Sequence, residues 1–199
     1  TNQNFGFDKP IEKIPDPPPT STDPTPPEGV CAAPGSDGSI TLSGVINTYH
    51  PGTASVSAGN SSINLGAINP NGNTTQISKG DKLLIIQMQD AEINSSNTDA
   101  YGNGNPGGAA SGSTGLNTSG YYQYVVADND VPTSGGTLQI KTPLEYTFTN
   151  ADATANTGQR RVQVVRLPQH INATISGTVT AAPWNGNSGG IFALDASKT

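Results

Sequence analysis

Oxygen-bearing side chains recur at alternate positions where an apolar segment of the chain turns into a long polar loop. Asp90, Glu92 and Asn94 alternate along the chain, and Asp99 follows. Carboxylate and amide oxygens in this arrangement can hold Ca²⁺. The spacing begins like an EF-hand loop, but the required Gly is missing and Tyr101 stands in place of the bidentate Glu, so we exclude an EF-hand. Two alternatives stay open: an irregular calcium site, or a solvated loop.

A second cluster of the same residue types lies further along the chain, in ADNDVPTSGG. It contains Asp128, Asn129 and Asp130. These residues are also calcium candidates, and the alternative is that they form a turn, as Asp and Asn often do. Calcium is therefore the one cofactor that the sequence suggests.

Aromatic side chains cluster in the stretch YYQY, at Tyr121, Tyr122 and Tyr124. In a strand, Tyr122 and Tyr124 share one face and Tyr121 takes the other. Exposed tyrosines can stack on sugars or contact proteins. The alternative is that they pack in the core and form cross-strand pairs. Trp184 also has two interpretations, a sugar-binding side chain or one packed under a turn.

No set of residues has the spacing that catalysis requires. His50 and His170 are the two histidines, and no His or Cys spacing fits a zinc site. The Gly-x-Ser-x-Gly pattern of a nucleophile elbow is absent, and no pair of carboxylates stands out for glycoside hydrolysis. The glycines of YGNGNPGG do not open a helix, as those of a phosphate loop do. We therefore predict no catalytic residues and no enzymatic activity.

The composition indicates a secreted protein with a polar but weakly charged surface. Only 12% of the 199 residues are charged, and Asn, Ser, Thr and Gly take their place; about a quarter is usual. A net charge of −6 with nine Lys and Arg argues against nucleic acid and anionic membranes as partners. No apolar run reaches membrane-spanning length, so we expect no membrane insertion. These features favour an extracellular location.

Residues 1–30 have a composition of their own. Half of the sixteen prolines lie between Pro10 and Pro27, which is typical of an extended, polyproline-II-like arm or linker. Apolar side chains at its start and the single cysteine after it are candidates for contacts with other copies: Phe5, Phe7, Ile11, Ile14 and Cys31. The alternatives are a disordered leader, a stalk and an arm that docks on a neighbour.

Residues 31–199 consist of short apolar segments separated by turn residues. Strands are predicted in SITLSGVINTY, TASVSAG, SSINLGAI, TQISKGDKLLIIQMQ, YYQYVVAD, GTLQIKT, EYTFT, RRVQVVRLP, NATISGTVT and GGIFALD. No window has a convincing helical period. About ten short strands predict an all-β domain, a sandwich or β-roll, that follows the Pro-rich arm and could continue beyond the chain end.

Two of these segments echo each other. The stretches ITLSGVINT and TISGTVTAA share a Ser-Gly pair flanked by Thr and branched apolar residues. This similarity indicates a repeated strand–turn unit, and chance in a chain rich in Ser, Gly and Thr is the alternative.

Several blocks of the chain, in their order, resemble a known class of protein. The blocks are INTYHPGTASVSAGNSSINLG, ISKGDKLLIIQMQDAEINSSNTDAYGNG, GYYQYVVA, GQRRVQVVRLPQH and GTVTAAPWNGNSGGIFALD. Together they resemble a β-rich module of large exported bacterial surface proteins of the adhesin type, over residues 31–195. The resemblance implies a cell-surface location and a structural or adhesive role, and it carries no catalytic residues.

Three hypotheses on function follow. The leading one is a non-enzymatic extracellular module of a bacterial surface protein. The second is a subunit of an extracellular filament that assembles through its N-terminal arm, which would add a strand to the next subunit. The third is a carbohydrate-binding or polysaccharide-acting domain. The expected partners are other copies of the chain, other surface proteins and glycans.

Overall fold

The computed structural model describes residues 32–94, 112–154 and 157–198. Within these residues the chain forms strands and turns and no helix, which confirms the prediction of an all-β fold. The strands are β1 (Ile40–Val45), β2 (Thr48–Pro51), β3 (Ser62–Leu65), β4 (Lys82–Gln89), β5 (Glu92–Asn94), β6 (Gly112–Gly115), β7 (Tyr122–Val126), β8 (Gly136–Gln139), β9 (Arg161–Arg166), β10 (Gln169–Thr180) and β11 (Asp195–Lys198).

The centre of the domain is an antiparallel sheet with the strand order β2-β9-β4-β7. In β4 the apolar residues run continuously from Leu83 to Ile86 instead of alternating. The register explains this pattern, because Leu84 lies opposite Val165 and Ile85 lies opposite Val164 on the two faces of the sheet. Both faces of β4 are covered, so neither set of side chains needs to be polar.

One face of the central sheet carries the larger hydrophobic core. The antiparallel strand pair β3–β8 and the segments around it pack against this face. The buried members of this core are Ile63, Leu65, Ile77, Leu83, Ile85, Val125, Ala127, Val131, Leu138, Ile140, Leu144, Phe148, Val162 and Val164. This core is contributed by β3, β4, β7, β8 and β9, so the domain is held together by contacts between residues far apart in the sequence.

A smaller core on the opposite face is covered by residues 181–193. Tyr49, Leu84 and Val165 of the sheet pack there against Ala182 and its neighbours. The Tyr49 hydroxyl donates to the Ile191 carbonyl at 2.5 Å and accepts from the Ala182 N–H at 3.2 Å. Burial raises the pKa of Tyr49, although the hydrogen bond from Ala182 opposes the shift. No residue of β7 belongs to this cluster, so the covering segment stops short of that strand.

Side-chain amides attach several loops to the central part of the domain. Each amide bonds to both the N–H and the carbonyl of one loop residue, as a neighbouring strand would. Gln87 donates to the Thr149 carbonyl at 2.8 Å and accepts from the Thr149 N–H at 2.8 Å. Gln163 does the same with Gly189, at 2.9 and 2.8 Å. Asn47 does the same with Ala193, at 2.6 and 3.0 Å. Because these amides are buried, each two-point contact satisfies polar groups that would otherwise be unpaired.

Three predicted strands are wrong as continuous elements. TASVSAG and EYTFT meet in one isolated bridge between Val56 and Phe148. In GGIFALD the strand begins only at Asp195. The reason in the last segment is a contact with a distant residue, because Asn47 occupies both backbone hydrogen-bonding groups of Ala193 and thus replaces a neighbouring strand.

A buried ion cluster fixes the first turn of the described chain to the sheet. Arg166 Nε is 2.7 Å from Asp81 Oδ2, and Arg166 Nη2 is 2.6 Å from Asp37 Oδ1. Asp37 also accepts from the Gln169 N–H at 2.7 Å. Burial by itself would lower the pKa of Arg166, but the hydrogen bonds and charges of the two aspartates outweigh it and raise the pKa.

Candidate functional site

Asp90, the first calcium candidate, lies buried at the end of β4 and is saturated by protein donors. Its Oδ2 accepts from the N–H and the hydroxyl of Thr118, at 3.1 and 2.5 Å. Its Oδ1 accepts from the Thr149 hydroxyl at 3.0 Å and lies 3.2 Å from Arg160 Nε. Asp90 therefore joins two loops that are distant in the sequence.

The structure describes the first calcium candidate only in part. Glu92 and Asn94 lie in the short strand β5, and Asp99 lies outside the described residues. In the part of the chain that the structure describes, no group of three or more His, Cys, Asp or Glu residues is placed to hold a metal ion. Calcium binding by this segment stays a prediction.

The second calcium candidate forms a turn. Asp128 pairs with Lys79 Nζ at 3.0 Å, and Asp130 accepts from the Lys79 N–H at 2.7 Å. Asn129 donates to the Thr137 carbonyl at 3.0 Å and accepts from the Gln139 N–H at 2.7 Å. These contacts match the turn-forming alternative, and calcium binding at this cluster also stays a prediction.

The three tyrosines of YYQY lie at the surface, so the interpretation that they pack in the core is wrong. Tyr121, Tyr122 and Tyr124 expose 47%, 55% and 51% of their surface. Tyr122 and Tyr124 share a face of β7, as predicted, and their rings meet edge to face at 5.8 Å between centroids. Tyr121 meets Tyr146 edge to face at 5.2 Å. Two aromatic pairs thus stand side by side.

The position of β7 explains why these rings are exposed. It is the last strand of the central sheet, and residues 181–193 cover the same face only over β2, β9 and β4. Within the described residues no backbone group pairs with the outer edge of β7 at Tyr122 and Tyr124; the edge is closed further on, where the Lys141 N–H donates to the Val126 carbonyl. The tyrosines therefore stand at an open edge and on an open face.

The loop before β7 aims Tyr121 toward Tyr146. Gly120 has a φ of +87°, a left-handed conformation that glycine adopts without strain. Its N–H donates to the Gln87 carbonyl at 2.8 Å, and the Tyr121 N–H donates to the Thr118 carbonyl at 2.9 Å. Asp90 also holds this loop in place, because its buried carboxylate accepts hydrogen bonds from the N–H and the hydroxyl of Thr118.

The two aromatic pairs line an open pocket of about 580 Å³. Its lining residues are Gly120, Tyr121, Tyr122, Gln123, Tyr124, Glu145 and Tyr146. Glu145 is exposed and is the one carboxylate among them. Lys82 Nζ lies 5.5 Å from the centroid of the Tyr124 ring and 3.0 Å from Asp195. We call these seven lining residues the tyrosine pocket.

Sequence reasoning missed Tyr146 and Glu145 as members of this pocket. Both lie in EYTFT, which is more than twenty residues from Tyr121 in the sequence and makes only an isolated bridge. The signal in the sequence that could have indicated them is the adjacent acidic and aromatic pair Glu145–Tyr146 in this mainly polar segment. Trp184 is half-buried in the covering segment and does not line the tyrosine pocket.

The residues predicted to mediate assembly, Phe5, Phe7, Ile11, Ile14 and Cys31, lie outside the described residues. A search of the described ranges for a helix long and apolar enough to cross a membrane found none.

Comparison with known proteins adds no family to this picture. No protein-family model matches the sequence, and no curated protein or solved structure is significantly similar to it. The resemblance to adhesin-like surface modules therefore stays a prediction.

Proposed function

We propose that this chain is a non-enzymatic module of an exported bacterial surface protein and that it binds carbohydrate in the tyrosine pocket. The observation that carries this proposal is the pair of edge-to-face aromatic contacts, Tyr121–Tyr146 and Tyr122–Tyr124, around one open pocket. Tyrosine offers an apolar ring face and a hydroxyl that bonds to polar partners. Sugars present the complementary surfaces, apolar C–H faces and hydroxyl groups.

The charge of the pocket favours neutral or amino sugars over acidic ones. Glu145 places a carboxylate in the lining, and the whole chain carries a net charge of −6. A uronic-acid polymer would meet repulsion from both. A carboxylate can accept hydrogen bonds from sugar hydroxyls, and such charge-assisted bonds are stronger than neutral ones.

Binding is favoured over hydrolysis because glycoside cleavage needs two carboxyl groups on opposite sides of the bond. Among the lining residues only Glu145 has a carboxyl group. A pocket that is open to solvent also suits an oligosaccharide that passes across the surface. A polysaccharide-acting enzyme is therefore the less favoured form of the carbohydrate hypothesis.

The wider setting of this proposal is an extracellular β-rich domain, residues 31–199, with a sandwich-like or roll-like architecture behind a Pro-rich arm. The weakly charged surface supports an extracellular location, and the two cores on opposite faces of one sheet support a layered fold. Glycans on a host or on neighbouring cells are the partners in this interpretation, and calcium stays an optional cofactor.

A second candidate function is a filament subunit, and the open edge of β7 favours it. Residues 122–124 offer backbone groups to which an extended segment could add as a strand. The N-terminal arm of another copy is the proposed donor. Deleting residues 1–27 should then abolish assembly, and a truncated chain that still polymerises would contradict this function.

The carbohydrate proposal is tested by affinity electrophoresis and calorimetry with cellohexaose, chitohexaose and mannohexaose, and with polygalacturonate as an acidic comparison. We expect binding to at least one of the first three and none to polygalacturonate. The double substitution Tyr122→Ala and Tyr124→Ala should weaken binding by roughly fivefold or more, since each aromatic contact is worth about 0.5–1.5 kcal/mol. Phe192→Ala is the matched control, because Phe192 is 49% exposed but does not line the pocket. Unchanged binding in the double variant would refute the proposal.

A further inference from the structure

The two segments that echo each other in sequence lie side by side in the structure. β1 pairs in parallel with the second half of β10, with Thr41 opposite Thr174 and Leu42 opposite Ile175. This register places the Thr-Leu pair of β1 beside the Thr-Ile pair of β10, so these equivalent residues of the two stretches are neighbours. The strand pair therefore stacks like on like, as successive units of a repeat do.

The match ends at the Ser-Gly step, where Gly177 lies beside Ser43 and not beside Gly44: a Cβ placed on Gly177 would be 3.5 Å from Cβ of Ser43. Beyond this step the register shifts, and pairing resumes with Gly44 opposite Val179. Gly44 has a φ of +72°, a left-handed conformation that favours glycine, and it lies at this irregularity. We call residues 40–45 and 173–180 together the parallel ribbon.

Both outer edges of the parallel ribbon are open in the described part of the chain. β1 is the terminal strand of its sheet, and on the far side of β10 the pairing with β11 ends at Asn172. One face is partly exposed as well: Leu42 is buried, but Ile40 and Ile175 expose 42% and 62% of their surface. Parallel strands are normally buried on both faces, and an isolated strand pair is marginally stable. The ribbon thus has the properties of an incomplete sheet.

We propose that a second copy of this chain extends the parallel ribbon. In this contact β1 of one copy is added in parallel to the outer edge of β10 in the next. A second copy is the partner that fits, because β1 already pairs in parallel with β10 within one chain. The two open edges lie on different strands, so the contact is heterologous and copies would join head to tail into an open chain. This inference does not depend on carbohydrate binding or on the N-terminal arm.

The test uses the full 199-residue chain with Cys31→Ser, so that introduced cysteines are the only ones. Thr41→Cys and Thr174→Cys are placed in separate chains, both at exposed positions. The two variants are mixed and treated with a short bismaleimide, and sedimentation velocity measures association of the unmodified chain over a concentration series. We expect association that grows with concentration, and cross-linked dimers in the mixture only.

A substitution on the ribbon tests whether the cross-link reports the proposed contact. Ile175→Lys places a charge on the open edge and should remove both the association and the cross-link. Phe192→Lys, at an exposed residue outside the ribbon, should leave both unchanged. A chain that stays monomeric in the mixture, or dimers that form from either cysteine variant alone, would overturn the proposal. The second of these results would mean a two-fold contact between identical strands.

Discussion

The side-chain amide of Gln123 holds the backbone on both sides of Leu144. Its Oε1 accepts from the Glu145 N–H at 2.8 Å, and its Nε2 donates to the Pro143 carbonyl at 3.2 Å. Gln123 lies between the two exposed tyrosines of β7 and faces the opposite side of the sheet. One side chain thus fixes the position of Glu145 and of the adjacent Tyr146 relative to the other half of the tyrosine pocket.

Replacing Gln123 should therefore weaken both the fold and the binding of sugar. Gln123→Met has a similar length but cannot make either hydrogen bond, and it leaves the Pro143 carbonyl and the Glu145 N–H without this partner. We expect a loss of about 1–3 kcal/mol in the free energy of unfolding, measured by urea denaturation, together with weaker oligosaccharide binding. The matched control is Gln139→Met, because Gln139 is exposed and its amide makes one side-chain contact, to Ser62. A variant with full stability would show that the loop is held by other contacts.

Asp90 should act as a structural carboxylate whose contribution is independent of calcium. Asp90→Ala removes the acceptor for Thr118, Thr149 and Arg160. Hydrogen bonds to charged groups are worth about 1.5–3 kcal/mol each, so we expect a loss of at least that size. The midpoint of urea unfolding should fall equally in EDTA and in Ca²⁺. If the substitution were costly only in Ca²⁺, the carboxylate would be a metal ligand.

The buried His50 should make the domain less stable on acidification. Its Nδ1 lies 2.9 Å from the Gly66 carbonyl, so Nδ1 carries the hydrogen, and its Nε2 is buried without a partner in the described residues. Burial lowers the pKa of His50, although the hydrogen bond to Gly66 opposes this. Because the folded state disfavours the charged form, stability is full above the unfolded pKa of about 6.5 and is lost as the pH falls below it.

The pH dependence is measured as the free energy of unfolding of the natural chain and of His50→Gln. The glutamine can still donate to Gly66, but it does not titrate. Between pH 7 and pH 5 the natural chain should lose stability more steeply, by up to about 1.4 kcal/mol per pH unit. Parallel curves for the two proteins would show that His50 does not cause the loss.

Arg166 should be the most sensitive charged residue of the fold. Arg166→Met leaves Asp37 and Asp81 without their shared guanidinium, and removing one partner of a buried ion cluster costs about 3–5 kcal/mol. Lys79→Met is the control: it breaks an exposed pair with Asp128, for which about 0–1 kcal/mol is typical. Because the two aspartates raise the pKa of Arg166, its contribution is complete below the pKa of an arginine in the unfolded chain and is lost only as the pH rises through the raised pKa of the folded state. Arg166 therefore stays charged at ordinary pH, and its titration should not contribute to the difference in unfolding free energy between the two variants. This difference is measured by urea unfolding. Equal losses in both variants would contradict the role of the cluster.

The sequence predicted well those elements whose signal is local. The continuous apolar run of β4 predicted a buried strand, and the stretch YYQYVV predicted a strand with Tyr122 and Tyr124 on one face; the structure has both. These patterns follow from burial on two faces or on one, and a short window contains them completely.

The features that the sequence did not reveal depend on contacts between distant residues. Asn47 and Ala193 are 146 positions apart, yet one side chain supplies the backbone contacts that turned a predicted strand into a loop. Tyr146 reaches Tyr121 only because Gln123 and Asp90 fix the intervening loops. No periodicity marks such pairs, so strand order and the full lining of the tyrosine pocket could not be predicted.

The most direct test of carbohydrate binding observes the tyrosine rings themselves. The chain contains six tyrosines, and selective ¹³C labelling of their rings gives one set of signals for each in a proton–carbon NMR spectrum. On titration with the hexasaccharide that binds best, the signals of Tyr121, Tyr122, Tyr124 and Tyr146 should shift and saturate together. The signals of Tyr49, which is fully buried, should stay in place. Saturating shifts that spare these four residues, or no shift with any of the three neutral or amino-sugar hexasaccharides, would contradict a carbohydrate site in this pocket.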